Sequence, residues 1–386
     1  MLPCTSPPAS ASIPIYPKIH DDPESYVADQ LILISSDMTQ AKQLAQLMTQ
    51  YQARVIRRRK LTDLNFVLST FRLSKSSAKQ TSVKQLLENI RANHPQVLIA
   101  PNYYFYPQST PTARELNNRN EVFKKINKPQ GENCGDNLNV GMLDGPINID
   151  HSSLTAQKII QENFYAKGEK LASNSHATAI ASILVGDPNA KGLNGVISEA
   201  TLYAGNVMQQ HPKDKKKMLA TTESLILGLN WLASKKVNVI NLSLGGKRNL
   251  LLELALKRVI EKKIFIVAAA GNGGPTAEPR YPAAMDNVIS VTSIDQQGNI
   301  AADANQGNYI DIAAPGVDLW VAGKNNSGRY NSGTSMAAPL VTAALSLLVQ
   351  QKRSVNTLFE QALDLGAVGK DPVFGFGLLQ FSNCGG

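Results

Sequence analysis

Nowhere does the sequence hold the roughly 18 consecutive apolar residues that a membrane-crossing helix requires, so a helical membrane span is excluded. Cysteine is scarce as well. Cys4, Cys134 and Cys384 are too few for a disulfide scaffold and lack the close spacing of a zinc or redox pair, which leaves one bridge, Cys134 to Cys384, as an option in an exported protein. Aromatic residues make up only 6% of the chain, and they do not interleave with either basic run, Arg57, Arg58, Arg59 and Lys60 or Lys213, Lys215, Lys216 and Lys217. Single-stranded nucleic acid needs such stacking platforms. The net charge of +9 is therefore assigned to solvated faces, and no nucleic-acid partner is expected. The opening MLPCTSPPASAS has neither a basic n-region nor an apolar h-region, so no intact signal peptide is legible.

What is present is a globular composition, 43% hydrophobic, in two stretches of different character. Residues 1–27 read as a flexible Pro/Ser/Ala-rich tail. From 28 to 107 the order is strand (LILIS), helix from Asp37, strand (ARVIRRR), strand (FVLSTFRL), helix from Ser82, strand (QVLIAPNYYFYP). Ser82 with Gln85 makes a capping-box pattern and sets Val83, Leu86, Leu87 and Ile90 on one helical face. That order predicts a split βαβ, ferredoxin-like α+β domain, and it holds no cluster of reactive side chains. Residues 108–136 are polar and read as a linker or processing region. From 137 to 386, apolar strand-like runs alternate with helical ones, which predicts an α/β domain whose mostly parallel sheet is covered on both faces. Function in such sheets collects at the carboxyl ends of the strands.

Three residues at predicted strand or helix ends could act together. Asp144 closes LNVGMLD, His176 opens HATAIASILVG, and Ser335 stands at a helix start in NSGTSMAAPL. A serine hydroxyl is a weak nucleophile until an imidazole takes its proton, and a buried carboxylate can orient that imidazole. Only five histidines compete for the part: His20, His94, His151, His176 and His211, of which His151 is the rival base. Asn272, in VAAAGNGG, could donate to a developing oxyanion. An α/β-hydrolase is disfavoured, because its G-x-S-x-G elbow needs glycine where Ala337 stands and its acid follows the serine. GNGGPT lacks the third glycine of a dinucleotide fingerprint.

With these blocks in order the chain resembles the subtilisin-like serine proteases, whose order is Asp, His, Ser. VGMLDGPINIDH, NSHATAIAS, GVISEATLYAGNV, VNVINLSLGG, AAAGN, YPAAMDNVISVTSI, DIAAPG and SGTSMAAPLV carry the likeness over about 137–350. The resemblance implies a three-layer catalytic domain in which Asp144 orients, His176 is the base, Ser335 the nucleophile and Asn272 the oxyanion donor. Ser243, Leu244 and Gly245 would line one side of the substrate cleft, Ala269, Ala270 and Gly271 the other, with Arg280 near the base of the first specificity pocket. It also implies that 28–107 is a propeptide, a chaperone and inhibitor whose last segment lies along the cleft, with self-cleavage somewhere in 106–114. A secreted or extracytoplasmic monomer acting on polypeptides follows, with no cofactor needed for catalysis.

The likeness has departures. Gly145 and Pro146 follow the aspartate, Ala177 follows the histidine, and Pro339-Leu340-Val341-Thr342-Ala343 follows the serine block. Ser153 stands where the family's strong calcium site draws a carboxylate, and the loop DPNAKGLNG lacks that site's pattern, so structural calcium is possible but its usual site is incomplete. A silenced, peptide-binding relative and a peptide ligase using the same acyl-enzyme are the alternatives.

Overall fold

The structure, a computed structural model, describes residues 16–17, 22–74, 82–111, 121–129, 134–190 and 193–382. Most of the expected tail, with Cys4 and His20, lies outside them, as do Cys384 and the middle of the linker. The chain forms two compact units, one of residues 1–60 and 66–102 and the other of 61–65 and 103–386.

In the first unit, β1 (Tyr26–Ser35), α1 (Met38–Thr49), β2 (Ala53–Leu61), β3 (Phe66–Leu73), α2 (Val83–Asn93) and β4 (Leu98–Pro107) follow the expected order. The sheet order β2-β3-β1-β4, with β1 and β3 antiparallel, is the ferredoxin-like one. Local chemistry sets the helix starts. The Asp37 carboxylate accepts the Thr39 and Gln40 N–H groups, and Ser82 and Gln85 make a reciprocal capping box. Val83, Leu86, Leu87 and Ile90 are buried along one face of α2.

The second unit is built on a seven-stranded sheet. Its strands are β6 (Asn139–Asp144), β7 (Ile159–Asn163), β8 (Thr201–Asn206), β11 (Val239–Leu242), β13 (Phe265–Ala269), β14 (Val288–Ile294) and β15 (Ile312–Pro315), in the order β15-β14-β13-β11-β6-β8-β7. All six neighbouring pairs are parallel. Helices α3 (Ser175–Val185) and α6 (Thr334–Gln350) pack together, as do α4 (Thr222–Ser234) and α5 (Leu250–Glu261). Side chains that alternate along each strand sort between the two pairs. Val140, Met142, Val239 and Val267 join α3 and α6 in one core, whereas a side chain at Gly141 would meet Leu232 of α4. Smaller strands complete the unit: β5 (Thr110–Pro111), β9 (Met208–Gln210), β10 (Met218–Thr221), β12 (Leu244–Gly246), β16 (Leu319–Ala322) and β17 (Gly328–Ser332), with α7 (Asn356–Glu360) after α6.

The boundary between the units falls earlier than the expected 107. Residues 103–107, the end of β4, pair antiparallel with β10 and with β12, so hydrogen bonding commits them to the second unit. The start of the expected linker is ordered too, since β5 pairs with β17. Cys134 is disulfide-bonded, and both other cysteines lie outside the described residues. Among the described residues no helix is long and apolar enough to cross a membrane.

Helix α6 carries a proline, Pro339, on its second turn. Proline has no N–H, so the carbonyl four residues back, that of Ser335, loses its helical donor inside a fully buried stretch. The hydroxyl of Ser243, just beyond β11, replaces it at 3.0 Å. Asn241 Nδ2 donates to that hydroxyl at 2.9 Å, and Thr342 Oγ1 donates to Asn241 Oδ1 at 3.1 Å. The central strand and the helix are thereby pinned at one point. Elsewhere in this unit the buried Lys128 ammonium donates to the Asn194 carbonyl at 2.7 Å, and burial pushes its pKa down from 10.5 to about 8.

Two outcomes follow, both measured on the full chain with Ser335→Ala, which removes the hydroxyl but keeps the carbonyl. Ser243→Ala should destabilise the second unit by about 1–3 kcal/mol, the cost of orphaning a buried acceptor. Adding Pro339→Ala, which restores a helical N–H, should recover part of that loss in a double-mutant cycle read by denaturant unfolding. For Lys128, the unfolded chain holds a proton between pH about 8 and 10.5 that the folded chain has released, so stability rises with pH across that window. The rise is about 3 kcal/mol at 1.36 kcal/mol per pH unit, and Lys128→Met should lack it when unfolding is compared at pH 7 and pH 10.5.

Candidate active site

The carboxyl ends of three adjacent strands supply one edge of the site. Asp144 is the last residue of β6, Ser243 follows β11, and Asn272 lies three residues after β13. His176 is the second residue of α3 and Ser335 the second of α6. Asp144 and Ser335 are fully buried, and His176 is 5% exposed. His176 Nδ1 bonds both carboxylate oxygens of Asp144 at 2.9 Å. The Gly145 N–H also donates to Asp144 Oδ1, at 2.6 Å, a main-chain contact that helps hold the carboxylate. Ala177, the unusual residue after the histidine, is part of the buried core.

Ser335 does not cap its helix with its side chain. The N-cap is Gly333, at φ +130°, and no side-chain cap is made. The Ser335 hydroxyl instead donates to the Ser243 carbonyl at 2.8 Å and accepts the Gln108 N–H at 2.8 Å. His176 Nε2 is buried with no hydrogen-bond partner among the described residues.

Gln108 is the residue that organises the rest. Its carbonyl oxygen accepts from the Ser335 N–H at 3.0 Å and from Asn272 Nδ2 at 2.9 Å. Its own N–H also reaches the Ser243 carbonyl at 3.3 Å. Asn272 is oriented for this contact: its Oδ1 accepts from the Thr334 N–H at 3.1 Å and the Thr334 hydroxyl at 2.9 Å, which leaves Nδ2 facing Gln108. Any side chain at position 333 would run into both Asn272 Nδ2 and the Gln108 carbonyl, which explains the glycine beyond its positive φ. Upstream of Gln108, Tyr106 pairs with Gly245 and Phe105 with Gly246 as antiparallel strand partners. His211 lies against the Tyr104 and Tyr106 rings, at 6.2 Å and 6.4 Å. Downstream, Thr110 pairs with Ser332.

The expected cleft residues divide as follows. Ser243, Leu244 and Gly245 run beside the bound strand, with Gly245 backbone-paired to Tyr106. Ala269 and Ala270 are buried at the end of β13, and Gly271 is held by its N–H to Thr334 Oγ1 at 3.1 Å. Arg280 lies between the two walls, since a Cβ on Gly271 would meet its Cγ at 2.7 Å and one on Gly245 its Cβ at 3.2 Å. The rival base His151 is placed elsewhere. It is fully buried, with Nε2 on the Ser327 carbonyl at 3.1 Å and Nδ1 on Ser153 at 2.9 Å. His94 ends α2 with its ring against Tyr51. Sequence reasoning did not single out Gln108 or Thr334; the position of Thr334 beside the serine in the Gly-Thr-Ser block is the signal that could have pointed to it.

Ser153 bonds His151, and the Asn194 carbonyl of the DPNAKGLNG loop accepts from Lys128. Among the described residues no group of three or more His, Cys, Asp or Glu could hold a metal ion.

A family model described as the subtilase family, Peptidase_S8, matches residues 135–368. Subtilisin DY of Bacillus licheniformis is 30% identical over 258 residues, covering 63% of this chain and 90% of that protein. The minor extracellular protease Epr of Bacillus subtilis (strain 168) is 28% identical over 254 residues, 64% of this chain but only 38% of Epr. The crystal structure of fervidolysin from Fervidobacterium pennivorans, a keratinolytic enzyme related to subtilisin, superposes with a TM-score of 0.73 at 18% identity. That match covers 94% of this chain and 61% of the other, and at that identity it speaks for the fold alone. The chain belongs to the subtilase family of serine endopeptidases.

Proposed function

We propose that the chain is the precursor of a serine endopeptidase that acts through Asp144, His176 and Ser335, and that its own first substrate is the bond between Gln108 and Ser109. The observation that carries this reading is the Gln108 carbonyl. It sits on two converging donors, the Ser335 N–H and Asn272 Nδ2, while its amide N–H rests on the Ser335 hydroxyl. Those are the contacts a scissile carbonyl needs, because the charge that grows on its oxygen during attack then meets fixed donors.

The chemistry follows from the groups around that carbonyl. Rotation of the Ser335 side chain moves its proton from the Ser243 carbonyl to His176 Nε2, which has no other partner among the described residues. Nε2 takes the proton as Oγ attacks the Gln108 carbonyl carbon, and Asp144 on Nδ1 stabilises the imidazolium. The C–N bond to Ser109 then breaks, its nitrogen leaving with the proton from Nε2. A water, deprotonated by the same nitrogen, attacks the ester carbon and releases Gln108 as a carboxylate and Ser335 as a hydroxyl. No cofactor enters any step. In the uncleaved chain the hydroxyl's proton and one lone pair are spent on Ser243 and Gln108, so the site rests.

On this reading residues 28–107 are a propeptide whose final strand fills the cleft as a substrate would, and Gln108 sets the maturation bond within the expected 106–114 window. The antiparallel pairing with Leu244, Gly245 and Gly246 supports backbone recognition of polypeptides in extended form. Export of a monomeric mature enzyme fits the disulfide-bonded Cys134.

The purified full chain should convert to a product whose first residue is Ser109, detected by intact mass and N-terminal sequencing, and a fluorophosphonate should then label Ser335. Ser335→Ala should leave the chain uncut. Asn272→Leu should slow self-cleavage by about 10²–10³-fold, the usual loss on removing one oxyanion donor. A first residue other than Ser109, or an unlabelled Ser335 in an uncut chain, would overturn the reading. Ligated rather than hydrolysed product would favour a transferase.

A further inference from the structure

Arg280 is a charged residue whose stem lies between the two cleft walls. Its stem is pressed against Gly271 and Gly245, where any Cβ would collide with or crowd it. Its Nε is buried with no hydrogen-bond partner among the described residues. Glu278, two residues before it, pairs with Lys247 at 2.8 Å. The Gln108 side chain shares the same face of Gly245, since a Cβ there would meet Gln108 Nε2 at 3.4 Å and Cδ at 3.5 Å. That carboxamide turns back on its own strand. Nε2 donates to the Tyr106 carbonyl at 2.8 Å, and Oε1 accepts the Asn272 N–H at 3.3 Å.

We propose that Arg280 sets the primary specificity of the cleft, selecting a carboxylate-bearing residue, glutamate above all, immediately before the bond that is cut. This rests on the reading of Gln108 as the residue at that position. Glutamate has the size of glutamine but no N–H to give the Tyr106 carbonyl, and an oxygen left there would be repelled. Turned toward Arg280, the same carboxylate meets a guanidinium whose Nε has no partner among the described residues and whose fork of donors matches it two by two. A large aromatic residue has the opposite fate, because the arginine stem already fills the space its ring would need. Gln108 is then a neutral stand-in: it reaches the site because it is tethered, and its side chain leaves the arginine unused for the substrates that follow.

The full chain tests this without disturbing Arg280. Gln108→Glu should speed self-cleavage at that bond by about tenfold over the wild type, the scale on which a matched buried polar pair discriminates. Gln108→Lys should slow it. In the matured enzyme, counted by fluorophosphonate titration of Ser335, Phe-Tyr-Pro-Xaa anilides should rank Glu above Gln above Phe in kcat/KM. Arg280→Ala should abolish the advantage of Glu over Gln and raise the rate on Phe, and Arg280→Lys should keep part of the Glu preference. Glu cut no faster than Gln in both assays, or a Glu preference that survives Arg280→Ala, overturns the assignment while leaving the endopeptidase reading intact. An unlabelled Ser335 with no cleavage of any substrate overturns both.

Discussion

A missing hydrogen bond holds this site together. Pro339 deprives the Ser335 carbonyl of its helical partner, and the Ser243 hydroxyl supplies the replacement while the Ser243 carbonyl receives the Ser335 hydroxyl. This reciprocal pair joins the middle strand of a parallel sheet to the first turn of a buried helix, in a setting where neither group can turn to water. The Asn241 and Thr342 side chains extend the network behind it. Thr342 is one of the residues by which the chain departs from its family's usual sequence, and here it gives Asn241 a second reason to keep its orientation.

From that junction the cleft follows. With α6 anchored, the Ser335 N–H and Asn272 Nδ2 converge on one point, because Thr334, the neighbour of Ser335, also fixes the Asn272 amide. Gly333 keeps the approach open. The backbone of β12 offers a strand edge beside that point, and residues 103–108 occupy it. An extended segment that brings its own hydrogen bonds to a strand edge is held by main chain first, so its side chains can vary. The Arg280 stem lies between the two walls, against Gly245 and Gly271.

Much of this was legible along the chain. Continuous apolar strands separated by helices gave the parallel sheet, and the capping pattern of Ser82 and Gln85 gave the start of α2, because both are short-range signals. Asp144, His176 and Asn272 stood out as polar residues that end or begin apolar runs. Other features were not legible for reasons of distance. Whether 103–107 belonged with the first unit or the second depended on pairing with β10 and β12, more than a hundred residues away. His151 follows Asp144 by only seven residues and was a rival base along the chain; in the fold it bonds Ser153 and the Ser327 carbonyl, whereas His176 bonds Asp144.

The sequence by itself determined the kind of each element, the order of the blocks, and the residue types at strand and helix ends. It did so because helical and strand periodicity, capping and proline chemistry act within a few residues. Tertiary structure alone decided which carbonyl rests on the Ser335 and Asn272 donors, where the Ser335 hydroxyl points, and that the Arg280 stem lies against Gly245 and Gly271. Those outcomes depend on hydrogen bonds and excluded volume between segments brought together only when the sheet closes.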